Sequence, residues 1–375
     1  MDSESSIELS PNSLSLGEHS ENGSKDSSKQ NPEKHLLIPG IPDDIAFSFL
    51  VRIPRKYHGI LNCVSKRWRE LVSSDVWYVH RRKHHMEETW VYALCRDKFG
   101  QLSCYVLDPD QLKRGWKRIS DPPSRCLKRK GIGFEVSKRK LYLVGGCDWA
   151  EYATDEVYCY DTARNVWNEA PSLSIPRCYF ACEAINDKIY AIGGIEPRSS
   201  NPQSWDTFDP ETCSWTSHAD LNVIPDIEDS FVLDGLIYIR TGSSFVSSHV
   251  YAVVYNPACG TWQHADHDMV SGWRGPAIVV DGHLYVLDQT SGIRLMLWKE
   301  DKREWVAVRR FSSLLTKPPC RLVAIGKKLF VIGKGLGTVM FDVENLGNLD
   351  GVLMASSAPK LITDDDLVHC KSVAI

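Results

Sequence analysis

No stretch of this sequence approaches the roughly 20 consecutive apolar residues that a bilayer-crossing helix needs. Met1 to Lys34 is polar and acidic, without the apolar centre of a secretory leader. Strong charge of either sign is missing too. The 44 Lys and Arg against 48 Asp and Glu leave a net charge of −4, which gives no basic footprint for nucleic acid or an anionic membrane surface. Cys-x-x-Cys pairs are absent: the twelve cysteines are scattered, Cys178 and Cys182 being the nearest pair. Free thiols in a reducing compartment, the cytosol and/or nucleus, are therefore expected rather than disulfides or structural zinc. There is no Gly-x-Ser-x-Gly elbow. Gly333-Lys-Gly-Leu-Gly337 lacks the Gly-Lys-Ser/Thr of a phosphate loop and leads into a strand-type run, Thr338-Val-Met-Phe341, instead of a helix. His80, His84 and His85 lie among Arg81, Arg82 and Lys83, which suits a solvated helix end better than a cation site. Asp43 with Asp44, and Asp364, Asp365 and Asp366, are consecutive carboxylates, not a pair opposed across a pocket. No metal and no cofactor is expected.

What the chain does contain falls into three regions. Residues 1–35 form a tail rich in Ser, Asn, Glu and Lys, too poor in apolar surface to offset its ordering entropy. Residues 36–85 read as three short helices. Asp43 and Asp44 suit the positive N-terminal end of the first, and Ile45, Phe49 and Leu50 give it an apolar stripe. Pro54 ends that helix and opens the next, which carries Tyr57, Ile60, Leu61 and Val64. Ser65 is a natural N-cap for the third, bearing Trp68, Leu71 and Val72. A core this thin calls for a docking partner.

From about residue 86 onward the chain is written in repeats. One unit is an apolar-Tyr-apolar strand ending at or near glycine: Leu141-Tyr-Leu-Val-Gly-Gly146, Ile189-Tyr-Ala-Ile-Gly-Gly194, Ile237-Tyr-Ile-Arg-Thr-Gly242, Leu284-Tyr-Val-Leu287 and Leu329-Phe-Val-Ile-Gly333. Their starts are spaced by 48, 48, 47 and 45 residues. The second unit places a Trp six residues after an Asp, Asn or Lys: Asp161 and Trp167, Asp209 and Trp215, Asn256 and Trp262, Lys299 and Trp305. Such a period accommodates a four-stranded antiparallel sheet, and radial repetition of that sheet makes a kelch-type β-propeller. The fold class expected is mainly β with a small N-terminal α unit.

The ends of the repeat region specify the ring. Trp90-Val-Tyr-Ala-Leu94, Ser103-Cys-Tyr-Val-Leu-Asp108 and Trp116 supply strands two to four of a blade that has no first strand. Leu367-Val-His-Cys-Lys-Ser-Val-Ala-Ile375 is a first strand with nothing after it. Two open edges are removed by pairing them. Six blades are therefore expected, five contiguous over about 125–358 and a sixth made from 90–119 with 367–375; the fifth is degenerate, with no Trp after Phe341-Asp342.

Ile41-Pro-Asp-Asp44 and Cys63-Val-Ser-Lys-Arg-Trp-Arg69 resemble an F-box, and residues 128–375 are similar to kelch repeats. In this order the two resemble the plant F-box/kelch-repeat family, although Ile41 stands where the family usually has Leu and only two repeats keep both glycines. The resemblance implies a non-catalytic substrate receptor: the F-box binds a Skp-type adaptor and through it a cullin-RING ubiquitin ligase, and the propeller binds an unidentified target protein. The adaptor-facing residues it implies are Ile41, Pro42, Ile45, Leu50, Ile53, Pro54, Ile60, Cys63, Val64, Trp68, Leu71 and Val72. Candidate target contacts are loop residues after second strands, Trp149, Tyr152, Arg198, Trp205 and Phe245. To these are added residues near first strands, Arg125, Arg177, Trp273, Arg274 and Arg321. The alternatives are a kelch scaffold without a ligase role and an enzyme built on the propeller; no set of catalytic residue types repeats at suitable positions for the latter.

Overall fold

The computed structural model describes residues 36–150, 152–194, 203–225, 227–242, 251–290, 292–313, 316–344, 356–359, 361 and 364–375. The tail read from residues 1–35 lies outside them. By compactness the chain divides at Ser48/Phe49 into two units.

In the larger unit the described strands form six four-stranded antiparallel sheets. Blade 1 comprises Gly133–Ser137, Lys140–Val144, Val157–Asp161 and Val166–Ala170. Blade 2 comprises Ala181–Ile185, Lys188–Ile192, Ser204–Asp209 and Ser214–Ala219. Blade 3 runs through Ile227–Leu233, Leu236–Thr241, Ala252–Asn256 and Thr261–His264. Blade 4 uses Ala277–Val280, His283–Asp288, Ile293–Lys299 and Glu304–Phe311. Blade 5 uses Arg321–Ile325, Lys328–Ile332, Thr338–Asp342 and Ser356–Ala358. Blade 6 is composite: C-terminal Asp366–Ala374 pairs with Thr89–Arg96, followed by Leu102–Leu107 and Lys117–Arg118. The six first strands touch their neighbours in a closed circle, so the ring is sealed through the chain's C-terminus. The last residue continues the seam, Glu88 and Ile375 exchanging backbone hydrogen bonds of 2.9 and 3.0 Å.

Local chemistry explains the regularity. First and second strands are joined by tight turns whose two central residues take positive φ, as at Asn186 and Asp187 or Asp234 and Gly235, matching the twist of paired strands. At the end of the second strand of blade 1, a Cβ on Gly145 would lie 2.5 Å from the Arg177 carbonyl oxygen, so the paired glycines let adjoining blades approach. Apolar clusters fill the spaces between adjacent sheets; Phe231, Trp273 and Val286, for instance, pack blade 3 on blade 4. The repeated Trp does more than pack. Trp167, Trp215 and Trp305 donate Nε1 to the carbonyls of Ser120, Pro171 and Met269 at 3.0, 2.8 and 3.0 Å, each tying a fourth strand to the connector before its own blade. Blade 5 lacks this Trp. Trp116 of blade 6 reaches it instead, its Nε1 donating to Thr338 Oγ1 at 3.0 Å.

Four α-helices, not three, are described ahead of the ring: α1 (Asp43–Leu50), α2 (His58–Val64), α3 (Lys66–Val72) and α4 (Asp75–Lys83). Ser65 caps α3, accepting from Trp68 N at 3.1 Å, and Ser74 caps α4.

Candidate functional site

The helices of the larger unit show how one short segment serves two surfaces. On α2, His58 and Leu61 turn inward while Ile60 and Val64, one helical turn apart, remain 64% and 55% exposed; Tyr57 beside them is also exposed. Four residues apart, the two share one face of the helix. Of the remaining adaptor candidates in this unit, Pro54 and Cys63 are exposed and Ile53, Trp68 and Leu71 are half-buried. Leu50 and Val72 are core residues, only 5% and 2% exposed, which corrects their placement among contact residues. In the smaller unit Pro42 and Ile45 are exposed and Ile41 is half-buried.

The other side of α2–α4 is fastened to the ring by charge. Arg55 donates its guanidinium to the Thr162 carbonyl at 2.6 Å and to the Tyr92 hydroxyl at 3.3 Å. Buried Arg81 bonds the carbonyls of Val51 and Ile53 at 2.8 and 3.1 Å. One oxygen of Glu88 receives both Arg81 Nη2, at 2.8 Å, and the Arg55 amide, at 2.7 Å. Asp75 pairs with Arg139 at 2.9 Å, and that guanidinium lies 4.4 Å over the Tyr78 ring. His58 packs edge-on against Trp77 and is kept neutral: burial, then the charges of Arg55 and Arg81, pull it down to about 4. Helix α4, with Trp77, Tyr78 and Arg81, is the element that sequence reasoning missed. Its signal was the buried-type pair Trp77-Tyr78 three residues after Ser74.

Arg139 sits in the turn between first and second strands of blade 1, and Thr162 between its third and fourth. Both turns lie at the end of the sheet opposite the loop joining its second and third strands. The helices therefore hold one end of the ring, and the loops carrying Trp149 and Tyr152 hold the other, a strand length of about 16 Å away.

Not all candidate target contacts reach that far end. Trp149 and Tyr152 are 86% and 56% exposed. Arg125 is exposed beside Glu156, at 3.6 Å, and Arg274 is exposed with Nε on the Ser271 carbonyl. Arg198 and Phe245 lie outside the described residues. Arg177, Trp205 and Trp273 are interior, which corrects their reading as surface contacts. Arg177 binds the carbonyls of Gly193 and Ser204 at 2.9 and 3.1 Å and pairs with buried Asp206. Trp205 stacks on His218, and Trp273 donates to Asp229 at 2.8 Å. Exposed Phe99 and half-exposed Tyr179, on the same end of the ring, escaped the sequence reading.

First strands line an axial cavity of about 330 Å³. Lys371 bonds Glu135 there and lies 3.8 Å from Glu183, which accepts from Ser230 Oγ at 2.7 Å. Burial lifts the Glu183 carboxyl to about 7, against the pull of Lys371, and lifts Asp229 to about 6. The Lys371 ammonium is itself held well above its usual range by Glu135 and Glu183, overriding burial, so it is no nucleophile. Arg321 borders the same cavity, with Nε on the Val368 carbonyl at 3.0 Å. Among the described residues no three His, Cys, Asp or Glu converge as a metal site, and burial pushes the Cys126, Cys320 and Cys370 thiols up to about 11, 12 and 12.

Comparison with known proteins agrees with this architecture. The FKB95, Kelch-repeats domain family matches residues 91–344. The F-box/kelch-repeat protein SKIP4 of Arabidopsis thaliana is 48% identical over 351 residues, covering 92% of this chain and 97% of that protein. The F-box/kelch-repeat protein At1g67480 of the same plant is 28% identical, covering 72% of each chain. The F-box/kelch-repeat protein SKIP30, also of Arabidopsis thaliana, is 24% identical, covering 90% of this chain and 95% of that one. Matched through its propeller and along nearly its whole length, the chain belongs to the F-box/kelch-repeat protein family.

Proposed function

We propose that this protein is the substrate-recognition subunit of a Skp-cullin-F-box ubiquitin ligase, a non-catalytic receptor acting in the cytosol and/or nucleus. Its helical segment docks on a Skp-type adaptor, and its propeller holds the protein to be ubiquitylated. The observation that carries the reading is the exposed Ile60 and Val64 stripe on a helix whose preceding turn is bonded through Arg55 to one end of a ring whose opposite end bears exposed aromatics. A receptor needs two independent binding faces in a set orientation, and the charged fastening of α2–α4 supplies that orientation. The test is co-purification of the full chain with a Skp-type adaptor and cullin. The double substitution Ile60→Glu and Val64→Glu is expected to cut adaptor recovery at least tenfold with an unchanged melting temperature, and substituting Pro42 and Ile45 to do the same. Recovery equal to the unaltered chain sinks the reading.

A further inference from the structure

The axial cavity of about 330 Å³ is divided in charge. Arg321, at the start of blade 5, borders it. Its Nε is fixed on the Val368 carbonyl at 3.0 Å. The two terminal nitrogens have no hydrogen-bond or ion-pair partner among the described residues, and neither is sealed from solvent. Blade 2 stands opposite blade 5 in the circle and contributes Glu183; blade 3, beside blade 2, contributes Asp229. Glu183 Oε1 accepts from Ser230 Oγ at 2.7 Å, and Asp229 Oδ2 accepts from Trp273 Nε1 at 2.8 Å and from the Ala277 amide at 3.0 Å. The second oxygen of each acid, Glu183 Oε2 and Asp229 Oδ1, accepts no hydrogen bond from a described group and is open as well.

The other charges of the cavity have counterparts. Lys371 bonds Glu135 and lies 3.8 Å from Glu183 Oε2, and Glu228 pairs with Arg240 at 2.9 Å. His369 is kept neutral by burial and by the charges of Arg321 and Lys371. No large excess of either sign results; the cavity holds a guanidinium fork on one side and open carboxylate oxygens on the other. A carboxylate alone would satisfy the fork but add negative charge beside Asp229 and Glu183. An amine alone would meet those oxygens but add positive charge beside Lys371. An uncharged ligand forgoes the charge-assisted bonds. A ligand with one charge of each sign meets both sides and leaves the total unchanged. The rest of the wall is largely apolar, with Ile132, Phe180 and Leu322 buried and Tyr179 40% exposed. The volume lies at the small end of the roughly 300–1,000 Å³ usual for small-molecule sites.

We infer that this axial cavity binds a small zwitterion, a free α-amino acid with an apolar or aromatic side chain. Its carboxylate takes the Arg321 fork, its ammonium takes Glu183 Oε2 and Asp229 Oδ1, and its side chain lies against Ile132, Phe180 and Tyr179. Planar, two-pronged pairing with a carboxylate is what arginine offers and lysine does not. The site lies at the end of the ring away from α2–α4, and its ligand does not depend on the ligase reading.

Isothermal titration calorimetry on the full-length chain near neutral pH tests this with phenylalanine and its two halves. Phenylpropanoate lacks the ammonium, and phenethylamine lacks the carboxylate. Phenylalanine is expected to bind saturably at one site per chain, at least tenfold more tightly than either half. Arg321→Gln and Glu183→Gln should each weaken it at least tenfold. Arg274→Gln, exposed at the same end and bonded to Ser271, should leave it unchanged. A melting temperature within a few degrees of the unaltered chain separates lost affinity from lost fold. Should Arg321→Gln melt far lower, Arg321→Lys, which keeps the charge and loses the fork, takes its place with the same loss expected. No saturable binding of phenylalanine or leucine, equal affinity for either half, or unchanged affinity in the axial variants overturns the inference. Failed adaptor co-purification leaves it standing, and a failed titration leaves the ligase reading standing.

Discussion

The two ends of the ring are built from the same strands and finished in opposite ways. At one end the inter-strand turns are covered by α2–α4, and charged side chains are consumed in the joint: Arg55, Arg81, Arg139, Glu88 and Asp75 all find partners. At the other, Asp97 and Asp148 cap their own loops, and Phe99, Trp149 and Tyr152 face water. Buried charge that finds several partners makes a rigid and specific joint; exposed aromatic groups make a surface ready for a partner. One end holds the helices in register with the ring, and the other leaves side chains exposed.

The C-terminal strand underlies both ends, because it closes blade 6 and Ile375 bonds Glu88, whose carboxylate fastens the helices. Deleting Leu367 to Ile375 should therefore have the largest effect. Leu367, Cys370, Val373 and Ile375 leave the core, at roughly 1.5–3 kcal/mol for each large apolar side chain, and two strand edges open. Thermal melting is expected to show a fall of more than about 10 °C or an insoluble product; an unchanged midpoint means the ring does not depend on this closure.

A smaller cut distinguishes the fastened end from the open one. Arg81→Leu removes the donors to Val51, Ile53 and Glu88 while keeping an apolar stem, and breaking such a buried charged network costs about 3–5 kcal/mol. Limited proteolysis should then release fragments cut between the helices and Thr89, whereas the ring beyond Thr89 resists cleavage. Breakdown of the ring at the same rate would show that the ends are not separable.

The mildest effect belongs to the axis between them. The Glu183 carboxyl, raised by burial to about 7 from an ordinary value near 4.5, stays protonated in the folded chain at pH values where the unfolded chain has lost the proton. Its contribution to stability is accordingly present at low pH and declines as pH rises through that window. Glu183→Gln should flatten the decline and raise the melting temperature at pH 8 by a few degrees, with little difference at pH 4.5. Melting curves that run parallel from pH 5 to 8 argue against it. Lys371 and Glu135, which share the site, are unchanged in that variant.

Much of the ring could be read in advance because its determinants are local and repeated. A Tyr-centred strand, a glycine turn and a Trp at constant offset recur whatever surrounds them, and the unmatched halves at the two ends imply their own pairing. Ser65 as a cap was legible for the same reason: its acceptor role is settled within three residues. The binding surfaces were only partly legible. Arg177, Trp205 and Trp273 have the composition of contact residues and the positions of loop residues, yet their partners Gly193, His218 and Asp229 lie 13 to 44 residues away in sequence. Nothing at short range reveals whether a connector side chain turns toward solvent or into the seam between blades. Leu50 and Val72 illustrate the converse, apolar residues of a thin helical segment that the chain buries for itself.

The amino-acid sequence by itself determined the number of blades, the strand order within them and the joining of the termini, since hydrophobic period and turn chemistry act over a few residues. Only the tertiary structure decided which end of the ring α2–α4 occupy, which Arg and Trp are spent as internal braces, and which loop aromatics stay exposed at the opposite end. Those outcomes depend on which distant segments are brought within hydrogen-bonding and packing distance, and that is a property of the closed ring.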